Sequence, residues 1–297
     1  MAYSGLSLSL AMSSFTHAKD IALSFDDGLN PQQNPKAALI NQQILTQLNE
    51  QQIKSIVFPS LIKIGDYQGK QLIANWGKDG HIIGNHSALH QNLNKDTVST
   101  KHYIQAIIDS DTVLNTLPNY QRIYRYPFLK QGNTTEKRDA VYLWLNQNHY
   151  KIGAVSIDAS DWFYNRKYLD YAKQADTAKL ERLKQAYITH LLDRASYYDQ
   201  LAVHTLQRSP KHVLLLHVNQ INAAFLADMI TAFEQADWTF VSAEQAFQDP
   251  LYMQHSQNIP AGESIIWSIA KTQGQALRYP AEDAPYELDN LKLHQLD

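Results

Sequence analysis

The chain reads as an α/β protein built on about seven strand–helix repeats, which favours a barrel of parallel strands, and three observations predict it. Short apolar runs alternate with amphipathic stretches through most of the 297 residues, the pattern of a parallel sheet joined by crossover helices. With 44% hydrophobic residues the chain can bury a full core, and a single barrel of roughly 250 residues plus extensions fits it as well as two domains. Finally, the residues suited to chemistry fall where predicted strands end. In parallel α/β architectures those ends converge on one face.

The first strand, 20–25, is carried by Ile21-Ala22-Leu23-Ser24-Phe25 and stops at Asp26-Asp27-Gly28, where glycine permits a sharp turn. Further strands are predicted at 55–58, 81–84, 121–125, 152–157, 212–217 and 239–241. Helical stretches separate them at 35–51, 69–76, 99–117, 136–148, 177–207 and 224–235. The stretch 177–207 is longer than a crossover needs. Leu180, Leu183, Tyr187, Leu191, Arg194, Tyr198 and Leu201 fall near one of its faces, which predicts core packing with a projecting lid.

The two ends differ from the middle. Residues 1–18 hold a short apolar stretch, Leu6 to Met12, and then Thr16-His17-Ala18, which resembles the end of a secretory signal but lacks its basic start. Export to the periplasm or medium is the expectation, with a cytoplasmic protein carrying an ordinary arm as the alternative. The barrel is assigned to 19–249. Beyond Asp249-Pro250, residues 250–297 form an extension with one predicted helix, 262–272, and a proline- and acid-containing strip, 279–287. Its Trp267, Tyr279 and Tyr286 predict docking on the barrel, because fewer than 50 residues are unlikely to fold alone.

Composition excludes several classes. A formal charge of -3 gives no basic footprint for nucleic acid. The chain has no cysteine, so disulfides and thiolate metal sites are ruled out and any metal must rest on histidine and carboxylate. No apolar run reaches the roughly 18 residues of a membrane-spanning helix.

The candidate chemistry sits on this map as follows. Asp26 and Asp27 end the first strand, His86 follows the third, Arg125 ends the fourth, Asp158 and Asp161 follow the fifth, and His217 ends the sixth. Adjacent carboxylates repel unless a cation or a basic group holds them. Each feature has a plainer reading when taken alone. Twelve histidines give about half of one His-x-x-x-His pair by chance, so the spacing of His86 and His90 is weak evidence by itself. An Asp-Asp-Gly is often only a turn, and His217 could be a core histidine held by a hydrogen bond. Their conjunction on one face is what points to a metal-bound hydrolytic site.

Taken in order, five motifs resemble those of the polysaccharide deacetylase family, the NodB-homology domain of carbohydrate esterase family four. They are Ser24-Phe25-Asp26-Asp27-Gly28, His86-Ser87-Ala88-Leu89-His90, Arg125-Tyr126-Pro127, Asp158-Ala159-Ser160-Asp161-Trp162 and Leu214-Leu215-Leu216-His217. The resemblance covers roughly 19–245 and implies a distorted (β/α)-barrel with fewer than eight strands. It also implies that Asp27, His86 and His90 hold one divalent ion, zinc foremost, with cobalt or nickel as alternatives. Asp26 would be the general base, Arg125 the arginine that keeps it ionised, and His217 the general acid. Asp161 would orient either Arg125 or His217. By the same analogy Trp162 and Leu215 line the substrate groove, and the backbone N–H of Phe128 serves an oxyanion.

The sequence departs from the family where Val218 follows His217 and where Gly132 lies five residues beyond Pro127, which implies rebuilt substrate loops. Asn219 and Asn222 are candidate ligand contacts or plain surface asparagines. The partner implied is an acetylated glycan and the reaction removal of N-acetyl groups. An O-acetyl esterase of the xylan type and a non-catalytic carbohydrate-binding protein are the alternatives.

Overall fold

The computed structural model describes residues 19–278 and 285–296. In chain order its elements are β1 (Lys19–Asp27), α1 (Ala37–Glu50), β2 (Ile56–Pro59), α2 (Leu61–Ile64), α3 (Tyr67–Lys78), β3 (Ile82–Asn85), α4 (Thr100–Leu114), β4 (Tyr120–Tyr124), α5 (Thr135–Gln147) and β5 (Lys151–Ile152). There follow α6 (Asp161–Lys173), α7 (Thr177–Leu206), β6 (His212–His217), α8 (Gln220–Gln235), β7 (Trp238–Phe240), α9 (Ala243–Ala246), α10 (Ile265–Thr272) and α11 (Pro285–Leu293). The predicted strands are all present, in one parallel sheet of order β5-β4-β3-β2-β1-β6.

β1 is an interior strand, and its sequence shows why: Ile21, Ala22, Leu23, Ser24 and Phe25 are all wholly buried, as a strand covered on both faces requires. One edge pairs with β6 over Ile21–Asp26. The other edge is shared, with β7 along Lys19–Ile21 and β2 along Ser24–Asp27. Helices close the outside with side-chain caps: Asp66 opens α3, Ser99 α4, Thr134 α5 and Asp176 α7, each accepting a backbone N–H of the first turn. The result is the distorted parallel barrel expected.

Three local expectations are corrected. The strand predicted at 152–157 is split between two neighbours. At Gly153 the chain crosses β4, where a Cβ would come within 2.5 Å of the Phe58 ring, and by Ile157 it pairs instead with Leu214 of β6, closing the barrel. Helix α6 was not foreseen, because its buried face is carried by Asp161, Phe163, Tyr164 and Tyr171 and so lacks an aliphatic stripe. Helix α7 lies flat on the fold, with buried residues from Leu183 to Ala202, and no lid projects from it.

The C-terminal region docks as expected in part. Trp267 is half-buried against the core, with its indole N–H donating to the Arg278 carbonyl at 2.9 Å. Leu291 and Leu296 join the main core, and Ala261 forms an antiparallel bridge with Gly132. Tyr279 and the arm 1–18 lie outside the described residues. Among the described residues no helix is long and apolar enough to cross a membrane.

Candidate active site

The carboxyl ends of the strands open into a cavity of about 460 Å³ lined by Asp26, Asp27, Lys63, His86, His90, Phe128 and, opposite, Trp162, Leu215 and His217. Of the candidates named from sequence, Arg125 and Asp161 lie just behind this wall, each in contact with a lining residue. The structure thus brings together residues as far apart in sequence as Asp26 and His217, which are directly paired neighbours on β1 and β6.

Asp27 ends β1 opposite Pro59 with φ 79, and Gly28 continues the turn with φ 79. A side chain at Gly28 would collide with Ile64 at 2.5 Å. His86 and His90 leave the end of β3 on a turn held by Asn85, whose side-chain oxygen accepts the Ser87 N–H at 2.8 Å, and by the Ser87 hydroxyl, which accepts the N–H of His90. Ser87 and His90 also take positive φ, 67 and 48. Strained non-glycine backbone of this kind persists where surrounding structure over-determines it.

One oxygen of Asp27, Oδ1, lies 3.0 Å from His90 Nε2 and 3.9 Å from His86 Nε2. It is buried, and none of the hydrogen bonds among the described residues ends on it. His86 donates from Nδ1 to the Arg125 carbonyl at 2.8 Å, leaving a lone pair on Nε2. Burial pushes its pKa down to about 4, so it is neutral at ordinary pH. For Asp27 burial acts upward, but its contact with His90 and the nearness of His217 and His86 outweigh it and hold the carboxyl far below its usual range. The three donor atoms lie within 4.8 Å of one another. Two imidazole nitrogens and a carboxylate oxygen buried beside them fit zinc or a similar divalent ion, with Arg125's carbonyl fixing the tautomer of one ligand.

Asp26 faces the opposite way. Its Oδ1 accepts from Arg125 Nη1 at 2.7 Å, and its Oδ2 lies 3.6 Å from His86 Nε2. Arg125 is buried and donates also to Ser24 Oγ and to the Gly153 carbonyl, both at 2.8 Å, with its guanidinium 4.0 Å from the centre of the Phe58 ring. Arg125 thus fixes the direction of the Asp26 carboxylate.

Across the cavity Asp161 resolves the choice left open by the sequence: it pairs with His217, not with Arg125. One oxygen meets His217 Nδ1 at 2.7 Å, and the other accepts the His217 backbone N–H at 2.7 Å and the amides of Asn219 and Asn222 at 2.9 and 2.8 Å. Burial alone would lower the His217 pKa, but the charge and hydrogen bond of Asp161, helped by Asp27 and Asp26, raise it to about 10. With Nδ1 committed, Nε2 is the nitrogen that can serve the cavity. Asn219 and Asn222 therefore hold Asp161 and the start of α8.

Phe128 stands at φ 58 with its ring edge-on to His90, centroids 4.6 Å apart. Sequence reasoning missed Lys63, whose ammonium lies 3.2 Å from Asp27 Oδ2. It belongs to the one-turn helix α2, too short to leave a periodic signal.

The class these features define is matched by comparison. Residues 14–142 match the family model described as polysaccharide deacetylase, and the resemblance stated from the motifs is borne out. A peptidoglycan-N-acetylglucosamine deacetylase of Bacillus cereus is 29% identical over 144 residues, which are 48% of this chain and 46% of that protein. The chain therefore spans about half the length of this curated relative. Among solved structures, the Bc1960 peptidoglycan N-acetylglucosamine deacetylase superposes with TM-score 0.52 at 20% identity, over 79% of this chain and 90% of its own. A Streptococcus mutans CE4 esterase gives 0.54 at 19%, over 76% and 86%. At these identities the likeness is one of fold.

Proposed function

We propose that this chain is a metal-dependent hydrolase that removes acetyl groups from N-acetylated sugars of a polysaccharide or oligosaccharide, with peptidoglycan N-acetylglucosamine as the first candidate. The observation that carries the reading is the convergence of three paired groups on one cavity: Asp27 with His86 and His90, Asp26 with Arg125, and Asp161 with His217. Residues 19–249 would form the catalytic barrel, with 250–297 as its extension, and action outside the cytoplasm would go with such a substrate.

Asp27, His86 and His90 would hold the ion, zinc foremost, with cobalt or nickel able to replace it. When bound, it supplies Lewis acidity toward the acetyl carbonyl and toward water. Asp26, kept charged by Arg125, would take the proton of the attacking water. His217, charged and oriented by Asp161, would return a proton from Nε2 to the departing nitrogen. An amide needs this step more than an ester does, because an unprotonated amine leaves poorly. The Phe128 N–H would steady the developing oxyanion, while Leu215 would wall the acetyl methyl and Trp162 would face a sugar ring. A histidine held by Asp161 on the cavity wall suits protonation of a leaving nitrogen, which an amide needs more than an ester, so the O-acetyl reading is second. Acetate release measured on N-acetylglucosamine oligomers and on acetylxylan separates the two.

A further inference from the structure

The C-terminal extension reaches the candidate site through the loop that delivers Asp161. This loop starts at Ile157, which bridges to Leu214 of β6, enters α6 at Asp161, and is held from behind by two helices. Arg194 of α7 donates from Nε to the Asp158 carbonyl at 3.3 Å, and His190 of α7 accepts the Ser160 N–H on Nε2 at 3.4 Å. Burial, reinforced by the charge of Arg194, holds the His190 pKa down to about 3, so the ring is neutral and Nε2 accepts. The Ser160 hydroxyl donates to Oε1 of Glu287, which comes from α11. Ser160, His190, Arg194 and Glu287 are all buried.

Helix α11 also docks through other groups. Leu291, and Leu296 just beyond the helix, join the core, and Asn290 donates to the Tyr164 hydroxyl and the Ala186 carbonyl, both at 2.7 Å. A buried carboxylate costs stability unless its partners repay it, and this one takes a hydrogen bond from the residue next to Asp161. We propose that Glu287 is a positioning residue: through Ser160 it fixes the loop that aims Asp161 at His217, so that the C-terminal extension takes part in proton delivery. The inference rests on the proposed role of His217 as general acid.

The test uses the full chain with Glu287→Ala, Glu287→Gln and Ser160→Ala. A misplaced acid should slow amide cleavage and spare an activated ester, whereas general loosening of the fold should slow both. We expect Glu287→Ala and Ser160→Ala to lower kcat on an N-acetylglucosamine oligomer on the order of tenfold, with KM and aryl acetate hydrolysis within about twofold of the parent. Glu287→Gln, which keeps an acceptor for the Ser160 hydroxyl, should recover most of the loss. Parallel losses on both substrates, or no loss, would overturn the proposal. Should Glu287→Ala fail to fold, Ser160→Ala decides, since it removes a single oxygen.

A second readout needs no activity. In the metal-free protein labelled at histidine nitrogen, the His217 Nδ1 proton reports its hydrogen bond to Asp161 directly. It should shift or broaden in Glu287→Ala and Ser160→Ala but not in Glu287→Gln; an unchanged signal in all three overturns the role of Glu287. If the parent cleaves no amide, the proposed function fails and this signal alone judges the inference.

Discussion

Asp161 holds His217 by two bonds at once, accepting the backbone N–H on one oxygen and meeting ring Nδ1 with the other, each at 2.7 Å. The imidazole is thereby fixed in orientation and in tautomer, and the charge it favours is positive. Asn219 and Asn222 hold the same carboxylate, so its direction does not depend on the histidine.

This arrangement predicts a titration. The folded pKa of His217, about 10, lies above its ordinary 6.5, so in the metal-free protein it stabilises the fold fully below about pH 6.5. That contribution is lost as pH rises through about 10. Asp161→Asn removes the largest opposing charge, leaving burial against the smaller upward pull of Asp27 and Asp26. Histidine NMR of the metal-free protein should find His217 protonated well above neutrality in the parent and titrating clearly lower in the variant; coincident curves would refute the pairing.

The acid role predicts a substrate split. His217→Ala should slow N-deacetylation by ~10²–10⁴-fold, the usual worth of general acid assistance, and an aryl acetate much less. Equal losses on both would assign His217 to structure or binding.

The strands and the site face were legible because β1, β3 and β6 run through apolar residues into polar groups at their ends. Asp26 and His217 could be placed on one rim from strand ends alone. Which group Asp161 touches could not, since the answer depends on the start of α6, a helix without an aliphatic stripe. Nor could Lys63, on a single turn, or the partners of Glu287, which are set by a fold-back of more than a hundred residues along the chain. Local pattern records which face of an element is buried; it does not record which element covers it.

Asp26 and Arg125 predict a stability effect. Both are buried, and removing one partner of such a pair leaves an uncompensated charge. Arg125→Met should cost about 3–5 kcal/mol, read as a lower midpoint in urea unfolding. A variant within experimental error of the parent would show that solvent reaches Asp26.

Ligand and base should separate by mutation. His86→Ala should abolish binding of one zinc per chain in calorimetry, while Asp26→Asn should keep the ion and lose turnover. If Asp26→Asn lost zinc as fully as His86→Ala, Asp26 would be a ligand and the assignment of the base would fail.

The most direct test is acetate release from N-acetylglucosamine oligomers and from peptidoglycan by chelator-stripped protein, before and after one equivalent of zinc. The account predicts no acetate from the stripped protein and turnover on restoring the ion, with none in His86→Ala under either condition. Acetate released at the same rate without metal, or none from any N-acetylated glycan while acetylxylan is rapidly cleaved, would contradict it.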